Sequence, residues 1–587
     1  MTAGVTPPKA VTGSPATGRP RHILREWQLA AADPPADFEA QASPLLRRVL
    51  WSRRLVIVDS HDFLHAEEAP LHPPEMMMSL TPAVQMASEA IQTGRRIAIF
   101  GDYDADGVTA TALLQRGLTA AGADVVTYIP HRVNDGYGLS PEGLEELHRQ
   151  GAGLVISCDC GTNSVDVVAQ RPAGLQLIVT DHHLPAAEIA RPDALLNPHQ
   201  PGDVYPFKEL SGAGVAFKLV QGLEQTGLGG LDATVLEQLT QLVAVGAIAD
   251  VVALLDENRT LVRRGLLEME ERPLPGIRAL IETGILRRPL NSTAIGFQLA
   301  PRINAAGRMD DARLALDLLL AEDIEVARPL AEQMESHNQS RRQATDTALS
   351  EALGRLEEEG VPDSAIVLAD ERWSLGLVGL IAGRLVDAHN MPAFVLNRGE
   401  SESRGSARSV DGFNVVDALT SCAGVLSRFG GHQAAAGFAC ANEDLPALID
   451  GLQEFAAGKR PEGGWSRVML IDAEVGFDEL SIEAVEDLAL LEPFGQGNRP
   501  PRFCGRGLVL KAATAFGGER EHLKLWLGAG ERVIESVAWR RGAYLDDYRR
   551  LAQRGQRLDV LFSPEVSRWD GEATVRLELE DVRAAAS

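Results

Sequence analysis

Lysine is nearly absent from this 587-residue chain, occurring only at positions 9, 208, 218, 459, 511 and 524, so arginine carries almost all the positive charge. The scarcity reads as a codon bias, although arginine's planar fork also suits phosphate oxygens. Positive charge as a whole is short: 56 Lys and Arg against 82 Asp and Glu leave a formal net charge of −26. That balance excludes a simple nucleic-acid coat protein, which has to be basic. It leaves room for a nucleic-acid enzyme with bound cations and a local basic groove. Cysteine is scarce too, with thiols only at 158, 160, 422, 440 and 504; an odd number spread over a large chain points to a reducing cytoplasm. No apolar run is long enough to cross a membrane, and the most apolar stretch, Leu242 to Leu255, contains Asp250. Met1 to Pro20 lacks the apolar core of a signal peptide and is expected to be a disordered tail. No tandem repeat is present. What remains, 45% hydrophobic and 24% charged, is ordinary globular protein long enough for three or four domains.

Between residues 55 and 200 short apolar runs alternate with polar loops and helix-like segments. The runs are Leu55 to Val58, Ile97 to Phe100, Val125 to Tyr128, Leu154 to Ser157 and Leu175 to Val179. This alternation predicts an α/β fold with a parallel sheet covered by crossover helices. Ligands of such sheets bind beyond the carboxyl ends of the strands. Polar clusters follow three of these strands: Asp102, Asp104 and Asp106 after the first, Asp159 after the second, Asp181-His182-His183 after the third.

Three carboxylates on alternate residues repel one another unless a cation sits among them, and hard oxygen ligands suit Mg²⁺, Mn²⁺ or Ca²⁺. An EF-hand is excluded because its twelfth position, a bidentate Glu, is Leu113 here. The loop of an aspartyl-phosphate phosphatase, with Asp104 as nucleophile, remains open on this segment alone; so does a metal cluster completed from elsewhere. The paired His182 and His183 favour the cluster, one imidazole for metal and one for substrate. Asp250, in an apolar segment, has to be paired, neutral or metal-bound, or else cap the N-terminus of a helix.

From Leu330 to Glu359 the composition predicts one continuous helix, roughly 45 Å long at 1.5 Å per residue. A second α/β pattern follows: Ala365 to Ala369, a helix from Val378 to Leu385, then Ala393 to Leu396. Residues 455–465 read as a Gly/Pro linker, and the β-rich runs beyond it predict a small barrel or sandwich. Asn338, Arg341 and Arg342 on the long helix are expected on a solvated face, and Cys158 and Cys160 are expected to pack as small apolar residues.

Gly101-Asp-Tyr-Asp-Ala-Asp-Gly107, the Asp159-Cys-Gly motif, Asp181-His-His183 and Ala249-Asp250 follow, in order, the four motifs of the DHH phosphoesterases. The chain resembles that family and, within it, the RecJ branch of single-strand-specific 5′→3′ exonucleases. Pro301 to Arg308, Gly405 to Ser409, Gly430 to Phe438 and Glu492-Pro-Phe-Gly-Gln-Gly-Asn498 extend the resemblance over most of the chain, residues 1–50 excepted.

The resemblance implies a DHH catalytic domain over 51–320, a linking helix over 321–360, a second α/β DHH-associated domain over 361–456 and an OB-fold barrel over 465–587, after an N-terminal leader of 1–50. It implies two Mn²⁺ or Mg²⁺ ions bridged by Asp159, with Asp104 on one and Asp106, His182 and Asp250 on the other. His183 then meets the scissile phosphate, which gives Asp159 and His183 the catalytic roles. Many relatives have a His where this chain has Phe100, which leaves one ion weaker or completed by Asp102 or water. Arg302, Asn304 and Arg308 are expected to clamp the DNA backbone, or merely cap a helix. Ser406, Arg408, Gly431 and His432 are expected in phosphate-contacting loops, with an ordinary surface turn as the alternative. Phe494, Phe503, Phe516, Trp526, Trp539 and Trp569 are the aromatics available for base stacking, of which two or three are expected to meet DNA.

The reaction implied is digestion of single-stranded DNA to 5′-mononucleotides in repair and recombination, by a monomer without membrane attachment, alongside a single-strand-binding protein and a helicase. A DHH phosphodiesterase for short oligonucleotides or small nucleotides is the alternative. Longer members of the branch carry a further C-terminal domain, which is not expected here. Because every expected ligand precedes residue 465, removal of 465–587 is expected to spare the chemistry.

Overall fold

Ile97–Phe100 and Leu154–Cys158 are apolar at nearly every position, as strands covered on both faces must be, and every residue of both is buried. They form the centre of a five-stranded, all-parallel sheet in the order Val125–Tyr128, Ile97–Phe100, Leu154–Cys158, Gln176–Thr180, Ala194–Leu196. The last of these strands was not read from sequence; three residues are too few to show a pattern. The computed structural model describes residues 24–30, 34, 42–55, 60–131, 138–309, 312–568 and 571–585. Val56 to Val58 of the expected strand, and the tail Met1 to Pro20, lie outside the described residues. No helix among those described is long and apolar enough to cross a membrane.

Contacts divide the chain into two units, one of Val58–Arg341 with Leu490–Pro500 and one of the remainder. The first holds the parallel sheet, with helix Ala105–Ala120 packed between it and the buried helices Gly212–Glu224 and Ala233–Ala249. Helix Ile324–Glu359 carries the chain from one unit into the other. It starts ahead of Pro329, which removes one backbone donor without stopping the helix. Asn338 on this helix is 1% exposed and accepts from Arg341 Nη2 at 2.9 Å, so the expected solvated face is wrong for Asn338, while Arg342 is exposed.

In the second unit a mixed sheet runs in the order Arg428–His432, Ala435–Ala441, Glu402–Arg408, Ala393–Arg398, Ile366–Asp370. Strands Phe503–Phe516, His522–Ala529, Arg532–Ala538, Thr574–Ala584 and Arg557–Ser567 close into a five-stranded barrel through pairing of the first with the last. Leu24–Leu29 pairs in parallel with Ser466–Ile471, which brings part of the N-terminal leader onto this unit. The expected linker at 455–465 is largely absorbed. Helix Leu445–Lys459 covers its first half, and Trp465 is buried, donating from Nε1 to the Ser364 carbonyl at 3.0 Å.

Candidate metal centre

The carboxyl ends of three adjacent parallel strands deliver the acidic and imidazole side chains to one place. Ile97–Phe100 leads into Asp102, Asp104 and Asp106; Leu154–Cys158 into Asp159; Gln176–Thr180 into Asp181, His182 and His183. Asp250 joins them from the end of helix Ala233–Ala249. Candidate ligand atoms of Asp102, Asp104 and Asp159 lie within 4.8 Å of one another, as do those of Asp106, His182 and Asp250, and those of Asp159, His182 and His183. His182 Nε2 is 3.0 Å from Asp159 Oδ1, 3.6 Å from Asp250 Oδ2 and 3.9 Å from Asp106 Oδ2.

Local backbone chemistry holds each side chain. Asp104 caps helix Ala105–Ala120, its Oδ1 accepting from the Asp106 and Gly107 amides at 3.0 Å each. Asn304 Oδ1 takes the Ala105 amide at 3.0 Å. Asp106 is gripped by the first amides of helix Gly212–Glu224, from Gly212 at 2.6 Å and Ala213 at 3.0 Å. That approach requires glycine: a Cβ at Gly212 would lie 2.7 Å from Asp159 Cβ, and one at Gly246 would lie 2.3 Å from Asp106 Oδ1. Asp159 itself sits at φ +62°, in the left-handed region.

The electrostatics call for cations. Burial and then the neighbouring carboxylates Asp106, Asp104 and Asp102 push the Asp159 pKa well above its ordinary value. Burial raises Asp106 as well, against the pull of His182. Asp250 is raised to about 7, by burial and by Asp106. It also caps the carboxyl end of its helix, where the macrodipole repels an anion. The expected alternative of an N-cap is therefore overturned. Burial also opposes the charged forms of Asp181 and His183, but their mutual contact, Nδ1 to Oδ1 at 2.8 Å, outweighs it. Asp181 is held at about 2 and His183 is raised. With Asp181 ionised, His183 Nδ1 has to donate, which fixes the ring. Five mutually repelling carboxylates, three of them buried, with an imidazole among them fit divalent, oxygen-preferring ions.

These shifts set a pH dependence for the metal-free protein. Folded Asp106, Asp159 and Asp250 keep protons that the unfolded chain releases near pH 4, so stability falls as pH rises from about 4 to about 7. His183, also raised, continues the loss above its unfolded value of about 6.5. Asp181 acts oppositely, but only between about 2 and about 4. In chelator, the thermal midpoint is expected to drop between pH 5 and pH 8, and saturating Mn²⁺ is expected to abolish the drop by replacing the protons. Equal slopes with and without metal would contradict the mutual repulsion.

Other expected site residues fall in varied surroundings. Phe100 is fully buried against Tyr128, ring centroids 5.0 Å apart, and offers the site nothing, whereas Asp102 groups with Asp104 and Asp159. Arg302 is turned toward the long helix, its Nε 2.5 Å from Glu335 Oε2. The Arg308 side chain lies outside the described residues. Ser406 and Arg408 stand in strand Glu402–Arg408, and Gly431 and His432 in strand Arg428–His432, so the expected loops are strands. Arg408 donates from Nη1 to Ser406 Oγ and to the Ala407 carbonyl, both at 2.8 Å, and has no ion-pair partner among the described residues. His432 is exposed on the edge strand. Cys158 and Cys160 are buried, as expected, and burial pushes both thiols up.

Sequence reading missed several supports. Asp181 was visible in its motif, but its job, accepting from the amides of Thr162, His182 and His183 as well as from the His183 ring, was not. Asn197 holds the His183 carbonyl at 2.9 Å. Ser211-Gly-Ala-Gly214 carried a signal, a serine N-cap followed by residues without bulk, that marks a helix end open to close approach.

Three family models match successive stretches of the chain: the DHH family, N-terminal domain, over 96–247, the DHHA1 domain over 363–458 and the RecJ OB domain over 471–581. The single-stranded-DNA-specific exonuclease RecJ of Bacillus subtilis is 34% identical over 544 residues, covering 92% of this chain and 68% of that protein. A crystal structure of RecJ from Thermus thermophilus in complex with Mn²⁺ matches with a TM-score of 0.82 at 30% identity, over 96% of this chain and 80% of that one. The corresponding Mg²⁺ complex matches with a TM-score of 0.76 at 29% identity, over 96% and 79%. With the four acidic and histidine motifs gathered at one sheet edge and these likenesses spanning both units, the chain belongs to the RecJ family of single-stranded-DNA-specific exonucleases.

Proposed function

We propose that this protein is a metal-dependent exonuclease that removes 5′-mononucleotides from the 5′ end of single-stranded DNA. The observation that carries the reading is the convergence of Asp102, Asp104, Asp106, Asp159, His182 and Asp250 in a chain of this family. In this reading Asp102, Asp104, Asp106, Asp159, His182 and Asp250 would hold two Mn²⁺ or Mg²⁺ ions, with Asp159 the side chain that both would share. Ions bound there lower the pKa of a water and offset charge on the phosphoryl oxygens. The chain's own residues do the rest. His183, whose protonated form the contact with Asp181 favours, presents Nε2 to a phosphoryl oxygen and stabilises the charge that builds there. Asp181, at about 2, stays ionised throughout and does not compete for that proton. The Gly212 and Ala213 amides hold Asp106 in place before substrate arrives, and Asn304 holds the backbone next to Asp104 through the Ala105 amide.

On the barrel, Phe516, His522 and Trp539 form a surface cluster with centroids 4.8 to 5.8 Å apart, and Trp539 is 45% exposed. Lys524 lies over the Phe516 ring. This cluster suits stacked bases and a nearby backbone. Phe503 is core, Phe494 belongs to the unit of the parallel sheet, and Trp569 lies outside the described residues. A barrel surface of this kind favours DNA over the small-nucleotide alternative. The enzyme is read as a cytoplasmic monomer acting in repair and recombination, on strand supplied by a helicase or held by a single-strand-binding protein.

End-labelled single-stranded and duplex oligonucleotides, incubated with Mn²⁺, Mg²⁺ or chelator, test the reading. Labelled mononucleotide is expected at once from the 5′ label, from single strands only, and not in chelator. First release from the 3′ label, or equal attack on duplex, would overturn it.

Arg408 supplies a second test. Its half-buried guanidinium, lowered in pKa by desolvation and without a carboxylate partner among the described residues, fits a terminal phosphate. Arg408→Ala is expected to weaken capture of 5′-phosphorylated strands by about 2 kcal/mol, roughly thirtyfold in KM. Strands with a 5′-hydroxyl are expected to change little. Equal loss on both would remove Arg408 from end recognition.

A further inference from the structure

Glu492-Pro-Phe-Gly-Gln-Gly-Asn498 stood out in the sequence, yet nothing in the proposed reaction uses it. It lies between the associated domain and the barrel in the chain, but in space it belongs with the parallel-sheet unit. It packs against the loop that follows Asp250. The Leu254 amide donates to the Gln496 carbonyl at 2.8 Å. Gly495 presses on Leu254 so closely that a Cβ there would lie 2.6 Å from Leu254 Cδ1. Ser292 Oγ donates to the Phe494 carbonyl at 2.5 Å.

Arg259 fastens the segment from the other side. It is 1% exposed, and its guanidinium donates to the carbonyls of Leu491 at 3.0 Å, Pro493 at 3.4 Å, Leu490 at 3.2 Å and Glu492 at 2.7 Å. A further bond from Nε reaches the Phe63 carbonyl at 2.8 Å, and the guanidinium stacks on the Phe63 ring. Asn498, 2% exposed, closes the turn by donating to Leu491 and Pro493. The helix bearing Arg259, Asp256–Glu271, is anchored at its start by the fully buried Lys218–Glu257 pair and by Tyr205 Oη on Glu257 Oε2 at 2.5 Å.

What this scaffold restrains is a strained stretch of backbone. Val251, next to Asp250, sits at φ +59°, a left-handed conformation that a β-branched residue resists. Such strain persists only where the surroundings over-determine it. Leaving it would let Val251 relax to an ordinary conformation and rotate Asp250 away from Asp106 and His182.

We propose that Leu490–Pro500 is a positioning element of the metal centre, locked by Arg259, which holds the Val251–Leu255 loop so that Asp250 faces His182. The proposal rests on the reading of Asp250 as a metal ligand, and Arg259 acts through that loop, not on substrate. It also makes the catalytic unit depend on a segment encoded after the associated domain.

The test uses the full-length protein and measures Mn²⁺ binding by calorimetric titration, with kcat and KM on a short oligonucleotide. Arg259→Gln is expected to weaken Mn²⁺ binding tenfold or more and to lower kcat while leaving KM within about twofold. Adding Val251→Gly removes the strain at the source, because glycine accepts a positive φ freely. The double variant is expected to recover at least threefold of the lost Mn²⁺ affinity. A purely structural role would lower the thermal midpoint of Arg259→Gln, leave its Mn²⁺ affinity unchanged and give no recovery; that result would overturn the proposal. If Arg259→Gln does not fold, Asn498→Ala carries the same comparison, expected to be weaker in effect, and its unchanged Mn²⁺ affinity would be equally fatal. Asp250→Asn is measured alongside. If it binds Mn²⁺ as the wild type does, the ligand reading fails. If it does not, while Arg259→Gln and Asn498→Ala both do, only the positioning element fails.

Discussion

Asp159→Asn is expected to cut the rate of single-strand digestion on the order of a thousandfold or more, about 4 kcal/mol of barrier, while raising the thermal midpoint of the chelated protein. The two effects share a cause. In the metal-free fold Asp159 is buried among Asp102, Asp104, Asp106 and Asp250, all of which push its pKa up. Neutralising it relieves that repulsion and the cost of burying its charge. In the working enzyme the same change removes the carboxylate proposed to bridge both ions. Asparagine is the right replacement because Asp159 sits at φ +62°, which asparagine tolerates and alanine resists. Alanine would mix backbone strain into the result. Turnover near wild type in the asparagine variant, or a chelated midpoint that falls, would refute the assignment.

Deleting residues 465–587 is expected to abolish cleavage even of a dinucleotide, with a loss of at least about a hundredfold. This reverses the expectation drawn from ligand positions alone. Every expected ligand does precede residue 465, but Leu490–Pro500 packs inside the unit that carries them, bonded to Leu254, Arg259 and Ser292. A form ending at residue 502 keeps that segment and loses the barrel strands. It is expected to retain dinucleotide cleavage while losing affinity for long strands, through stacking of about 1–3 kcal/mol per engaged base and a shallower salt dependence. Measuring kcat and KM against oligonucleotide length for both forms separates the two contributions. If the form ending at 464 folds and cleaves dinucleotides like the full chain, the segment is dispensable.

The candidate metal centre was legible because its chemistry is concentrated in short motifs. Asp102, Asp104 and Asp106 sit on alternate residues, and they, Asp159 and Asp181-His182-His183 each follow a short apolar run that reads as a strand. The parallel sheet then brings the strand ends together whatever the loops between them do. Asp250 was harder. Its apolar setting showed that it needed a partner, but only the fold shows a carboxylate at the wrong end of a helix dipole, turned toward Asp106 and His182. Ser406 and Arg408 were expected in a loop and stand in a strand. Gly405 to Ser409 has the small and polar composition of a turn, yet strands on both sides pair with it and override that preference.

By itself, the sequence determined the α/β class, the order of the lobes, the long helix, a β-rich C-terminal region and the identity of the acidic and histidine residues, while barrel against sandwich stayed open. All of these follow from periodicity and from the few residue types that can do metal chemistry, and both are local properties of the chain. The tertiary structure decided how those residues are held. Asp181 fixes the His183 ring, the Gly212 and Ala213 amides grip Asp106, and Arg259 ties Leu490–Pro500 to the loop after Asp250. The last link joins residues more than 230 positions apart. Backbone carbonyls serve as its acceptors, and since every residue carries one, no residue type marks them in advance.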